Sequence, residues 1–313
     1  MTTPDRRGHE SVLAFGRRFG EVEGLMTTPQ DDTILTLTIE KLVTGGRGLA
    51  HHEGRAVFVP GTAPGDRVTA RLVRHAKRFL EAEAVAIESP GPGRHTPPCP
   101  HYDLCGGCDL QHLTDDVQID VHREILVDCF RRLGGLDVTD LLEAPPPGPR
   151  LNYRNRLRLT AHPTGLYGLL QRGSHDVVPL ETCPVMAEPF DAVILPWLRM
   201  LPPVEQIVVR LDGRGGWLLS LYGPQSRLKA LRKQFQDVGS EPPVPGLQGL
   251  FLNNRPIWGR GYLVLQLADH KYRVSHQSFF QNNLAAAELA VTTARRWLAD
   301  VHPEGTDLAD LYS

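Results

Sequence analysis

The chain has 313 residues, with 34 Lys and Arg against 36 Asp and Glu and a formal net charge of −2 at pH 7. That length holds two or three domains with their own cores, and 41% hydrophobic with 22% charged residues argues against a disordered or fibrous chain. No apolar run reaches the roughly 18 residues of a membrane span, the first residues lack the apolar core of a secretory signal, and the five cysteines are not spaced as a disulfide framework, so a soluble, cytoplasmic monomer is expected.

In chain order, residues 1–31 read as a disordered leader. MTTP stands at Met1 and again at Met26, so either methionine serves as a start. Residues 32–90 read as a small β-barrel. TILTLTIEKLV sets Ile34, Leu37 and Ile39 among Thr and charged residues, the alternation of a half-buried strand. GGRG (Gly45 to Gly48) marks a turn or bulge. RAVFVPG, DRVTARLVRH and FLEAEAVAIES follow as short β-rich runs between PG and APGD turns. Five short strands with such turns suit an OB-like barrel, a fold that often grips single-stranded nucleic acid.

A loop rich in Pro and Gly follows over residues 91–108. It carries Cys99, Cys105 and Cys108 in CPHYDLCGGC. A helix then spans 115–135, its apolar residues at Val117, Val121, Ile125, Leu126, Cys129, Phe130 and Leu133, and Gly134-Gly135 closes it. Cys129 falls in that stripe and is expected to be a core thiol. APPPGPR (Ala144 to Arg150) is a linker. YRNRLRLTAHP reads as a strand whose Arg154, Arg156 and Arg158 alternate and so share one face of a sheet. A second strand pair ends at Cys183 in ETCPV. VEQIVVRLDGRGGWLLSLYG is a hairpin turning at Gly213, Gly215 and Gly216, SRLKALRKQF a short helix, and 245–280 a set of short strands. Residues 282–299 form another helix, and TDLADLYS begins an apolar strand.

Cys99, Cys105 and Cys108 on one loop, with Cys183 from a distant segment, point to a metal site that ties two parts of the fold together. Four thiolates with no histidine at ligand spacing suit either a 4Fe–4S cluster or a structural zinc. His101 lies between ligands and reads as a polar loop residue. Positive charge gathers at Arg67, Arg71, Arg74, Lys77 and Arg78, and again at Arg150, Arg154, Arg156 and Arg158. Each cluster is either a solvated face or a contact to a polyanion.

These motifs, in this order, resemble one family. GGRGLAHHEGRAVFVPGTAPGDRV is similar to a TRAM domain, an RNA-binding module. The TRAM-like barrel, C-x5-C-x2-C, YRNRLRL, ETCPV, SFFQNN and DLADLYS together resemble the RNA (uracil-5-)-methyltransferases of the 23S ribosomal RNA type, from about residue 32 to residue 313. The resemblance implies an α+β multidomain protein. Its parts would be the barrel at 32–90, a central α/β iron–sulfur and RNA-binding domain at 91–275, and the start of a Rossmann-like methyltransferase domain at 276–313; helix 115–135 is free to pack on the last. It implies a 4Fe–4S cluster on Cys99, Cys105, Cys108 and Cys183, tuned by the Gly106 and Gly107 amides. It implies S-adenosylmethionine as methyl donor, with Gln281 and Tyr312 at its site. It implies an RNA partner, ribosomal RNA before transfer RNA, gripped by Arg154, Arg156, Arg158, Arg74 and Lys77.

The sequence departs from the family in one respect. The family's nucleophilic cysteine and general-base carboxylate lie further along the catalytic domain, and this chain has no cysteine after Cys183. No residue receives a catalytic role, and the chain is expected to be truncated, with an incomplete donor site and no activity alone. The alternative is a non-enzymatic RNA-binding remnant with a structural metal site.

Overall fold

A computed structural model describes residues 33–301 except 144, 146, 147, 237, 238 and 240. The expected leader with Met26, part of the APPPGPR linker, and the DLADLYS segment with Tyr312 lie outside the described residues.

The N-terminal sheet has six strands: β1 (Ile34–Thr38), β2 (Lys41–Val43), β3 (Arg47–His52), β4 (Arg55–Pro60), β5 (Arg67–His75) and β6 (Phe79–Ser89), in the order β1-β5-β6-β4-β3-β2. Only Ile39 and Glu40 separate β1 from β2. Their amides donate to Asp66 O and Leu49 O at 2.8 Å each, so β1 and β2 act as one bent strand with a partner on either side. Counted so, the barrel has the five strands the sequence suggests. β4 and β6 are parallel and every other pair is antiparallel. The inward face of β1 is Leu35 and Leu37, continued by Ile39, whereas Ile34 is exposed. The expected alternation is therefore right in period and one residue out at its first member. Gly45 and Gly46, at φ +87° and +69°, make the β2–β3 turn. Gly48 lies within β3, where an added Cβ would stand 2.0 Å from Thr62 Oγ1.

Asp66 is fully buried and carries the barrel's exit. Its carboxylate accepts from Ala63 N at 2.7 Å, Gly91 N at 2.8 Å and Arg94 Nη2 at 2.8 Å. A buried carboxylate is tolerated when it is paired and hydrogen-bonded in this way.

Helix α1 (Asp115–Cys129) starts with Asp115 and Asp116 in its first turn, where negative charge suits the helix dipole. Its buried face meets the barrel: Leu113 and Val121 join the barrel core, with Val117 and Ile125 packed against it. The last turn widens over Phe130–Gly134 and stops at Gly135 in the left-handed conformation. Cys129 is exposed, which corrects its assignment to the core. The helix outruns the barrel: Leu133 is 89% exposed, and Cys129 borders a shallow surface pocket with Leu42 and Ile125.

A seven-stranded sheet follows. Its strands are β7 (Arg156–Ala161), β8 (Tyr167–Leu170), β9 (Val177–Pro179), β10 (Gln206–Leu211), β11 (Trp217–Tyr222), β12 (Leu247–Leu252) and β13 (Arg255–Gly259), in the order β13-β12-β11-β10-β7-β8-β9. Only the β11–β12 pair is parallel, and helix α3 (Gln225–Gln236) makes that crossover. One face of the sheet (Leu157, Leu159, Ile207, Val209, Leu219) packs on α3, on the short helix α2 (Leu195–Leu198) and on the turn before α2, through Phe190, Ile194, Leu198, Leu228 and Leu231. On the other face Leu218 and Phe251 meet the hairpin of β14 (Tyr262–Leu267) and β15 (His270–Ser275) through Leu263, Leu265 and Val274. Helix α4 (Leu284–Val301) closes the described chain. Among the described residues no helix is long and apolar enough to cross a membrane.

Candidate functional site

The cysteine loop is pinned at several points. His101 O accepts from Cys105 N at 2.8 Å, and its ring Nε2 accepts from Glu181 N at 3.0 Å. His101 thus fastens the loop to the segment that carries Cys183. Gly106 N donates to Leu170 O at 2.9 Å, and Cys105 forms a bridge with Gln171. Arg172 pairs with Asp109 and donates to Cys108 O at 2.6 Å. From the other side, Asp191 accepts from Cys183 N at 2.9 Å and from the Thr182 hydroxyl.

The result is one cavity lined by all four expected cysteines, Cys99, Cys105, Cys108 and Cys183, together with Leu157, Leu169, Leu180 and Val185. Burial pushes the Cys183 thiol up to about 12, with Cys108 adding to the rise, and burial likewise raises Cys99 and Cys108. Thiols that raise one another in an apolar cavity hold their protons until a cation offsets the negative charge. Gly107 N points at Cys105 Sγ at 3.4 Å, whereas the Gly106 amide, also expected to face sulfur, is spent on Leu170. Arg154 lines the same cavity, and its charge lowers the Cys108 thiol against the effect of burial.

Among the described residues no group of three or more His, Cys, Asp or Glu is drawn together closely enough to hold a metal ion. A single zinc needs each sulfur about 2.3 Å from one atom. A cluster with one thiolate per iron spreads its sulfurs over several metal atoms. The donor set around this one cavity is all thiol.

The expected RNA contacts do not fall together. Arg156 and Arg158 share the sheet face opposite Leu157 and Leu159, as alternation requires, while Arg154 precedes β7 and belongs to the thiol cavity. In the barrel, Arg67, Arg71 and Arg74 pair with Glu88, Glu83 and Glu81 at 3.0, 3.3 and 3.4 Å across β5 and β6. That cluster is largely an ion-pair ladder; Lys77 and Arg78 remain exposed at the hairpin tip. The Gln281 side chain is exposed. Its carbonyl accepts from Asn155 Nδ2 at 3.0 Å, and the N-cap contact of α4 comes from Asn283, whose Oδ1 accepts from Ala286 N at 3.0 Å.

Sequence reasoning passed over Asp66, Asp191 and Arg210. The first two read as ordinary loop acids. Arg210 sits in the apolar strand IVVRL, where a lone arginine gives no signal of being 1% exposed.

The barrel matches the TRAM domain family over residues 33–85. The wider chain is 38% identical over 284 residues to the 23S rRNA (uracil(1939)-C(5))-methyltransferase RlmD of Shewanella sediminis, covering 85% of this chain and 62% of that protein. It is 30% identical over 304 residues to an uncharacterized RNA methyltransferase of Synechocystis, covering 86% and 65%. Along most of its length the chain is similar to proteins named as RNA methyltransferases. Among solved structures it is similar to the Pyrococcus abyssi tRNA (uracil-54, C5)-methyltransferase in complex with S-adenosyl-L-homocysteine, with a TM-score of 0.59 over 83% of this chain and 64% of that one; at 21% identity the likeness is one of fold. This chain spans a little under two thirds of the length of both relatives.

Proposed function

We propose that this protein acts in RNA (uracil-C5) methylation, on 23S ribosomal RNA, with S-adenosylmethionine as donor and a 4Fe–4S cluster on Cys99, Cys105, Cys108 and Cys183. The observation that carries the reading is the meeting of cysteines from two distant segments at one cavity, beside a TRAM barrel, in a chain aligned along most of its length with RNA methyltransferases.

The chemistry sets the tasks. Uracil C5 is a poor nucleophile until a thiolate adds at C6, and a base within an RNA stack must first be turned out. The donor supplies an electrophilic methyl group. The described residues serve the earlier tasks of holding and ordering the RNA. The TRAM barrel offers a single-strand surface with Lys77 and Arg78 at its edge, and Arg156 and Arg158 offer phosphate contacts on the central sheet. The cluster would lock the loop of 99–108 to the Cys183 segment, holding barrel and sheet at fixed separation. In this reading Gln281 reaches the donor, and the hydrogen bond from Asn155 to its carbonyl ties that segment to the start of β7.

The test is mass-spectrometric mapping of 5-methyluridine in RNA from cells with and without the gene. Loss of one methylated uridine from 23S ribosomal RNA is expected. An unchanged ribosomal RNA with a lost transfer-RNA methyluridine would move the substrate, and no change in either would refute the reading.

A further inference from the structure

On the sheet face opposite the main core, Arg156 and Arg210 are direct cross-strand partners in the antiparallel β7–β10 pair, so both side chains rise on the same side. Like charges opposite one another are unfavourable unless something negative lies between them. No ion pair involves either arginine among the described residues. Arg210 is 1% exposed, and its Nε and Nη1 are buried without a partner; Nη2 alone donates, to Ser278 O. Arg156 Nε is buried and unpartnered as well. Burial, with Arg156 beside it, pulls the Arg210 guanidinium down to about 10, so it stays cationic at neutral pH.

The ring of His276 closes the same place. It stacks on Phe251, with centroids 3.8 Å apart and planes at 18°, and both ring nitrogens are buried without a partner. Burial and the Arg210 charge hold it neutral, so one ring N–H is available to donate. Arg158, two residues along β7 on the same face, is exposed, and Arg156 is half-buried. Buried polar groups are ordinarily satisfied, and here several donors from three strands or their ends are not.

The geometry points to an oxyanion site, with Arg210 and His276 at its floor and Arg156 on its wall, that takes a phosphodiester group of an RNA strand. The fork of a guanidinium matches a phosphate in two parallel hydrogen bonds. An entering phosphate competes with the Ser278 carbonyl for Arg210. It would thereby act on the 275–283 segment that also carries Gln281. The choice of RNA as the phosphate's source rests on the proposed function; the oxyanion chemistry does not.

The experiment uses the full chain and the variants Arg210→Met and Arg156→Met, with two probes: a labelled single-stranded oligouridylate and inorganic phosphate. Wild type is expected to bind the RNA with strong salt dependence. Each variant should bind about tenfold more weakly, and its log K against log salt slope should fall by about 0.7, one phosphate contact on a single strand. Phosphate should raise the melting temperature of wild type and leave that of R210M unmoved. Ligand-free R210M should melt no lower than wild type, because it loses an uncompensated buried charge; a purely structural arginine would give a lower value. If wild type binds RNA and both variants match it in affinity and slope, the oxyanion site is wrong while the RNA reading stands. If phosphate alone acts, through Arg210, the site stands and the RNA reading falls. If neither probe responds to Arg210, the site is refuted.

Discussion

His112 shows how single residues join the parts. It is 1% exposed, its Nε2 lies 3.0 Å from Thr62 O in the barrel, and its Nδ1 lies 2.6 Å from the Tyr102 hydroxyl in the cysteine loop. Burial, helped by the charge of Arg94, lowers its pKa below the ordinary 6.5. The folded protein therefore holds fewer protons here than the unfolded chain as pH falls. Stability from this group is complete above pH 6.5 and is lost as pH drops through 6.5 toward the lower folded value. Urea midpoints of wild type should fall between pH 7 and the acid side of 6.5, and those of His112→Gln should fall less. Equal slopes for the two proteins would show that His112 is not buried neutral. Tyr102, its neighbour, is pushed up to about 12 by burial and remains a hydroxyl throughout this range.

At the scale of elements, strand β8 lies between β7 and β9 and brings Leu169 to the wall of the thiol cavity. Gly168 makes this close packing possible: a Cβ there would stand 1.9 Å from Val178 O on β9. Gly168→Ala should cost about 2 kcal/mol of unfolding free energy through forced strand displacement, read as a lower urea midpoint at unchanged slope. A cost near zero would mean that β8 and β9 are not paired as described. The elements were legible in the sequence wherever periodicity dominates. The barrel strands, the 115–135 helix, the β10–β11 hairpin and α4 all follow from spacing of apolar residues and from turn glycines. What the sequence hid depends on where an element stops. Cys129 and Leu133 continue an apolar stripe, yet the barrel beneath them ends, and a stripe does not record the extent of its partner. Arg154 keeps the alternation of Arg156 and Arg158, but β7 begins after it and the chain turns toward the thiols. The ion-pair ladder of Arg67, Arg71 and Arg74 was hidden for a similar reason: its carboxylates come from β6, and strand register is a tertiary fact.

For the whole molecule, the four cysteines line one cavity although they are far apart in sequence. Three come from the loop leaving the barrel and one from the segment after β9, and a shared centre would connect the TRAM barrel to the central sheet. Asp66 with Arg94, and Arg172 with Asp109, brace the same junction without metal. Of the two residues expected at the donor, Gln281 is held through its backbone carbonyl and Tyr312 lies outside the described residues. The most direct test of the account is the metal content of the full chain purified without oxygen. The account predicts about four iron and four acid-labile sulfide per chain, with absorbance near roughly 400 nm that is lost in Cys183→Ser. A colourless protein carrying about one zinc per chain would contradict it.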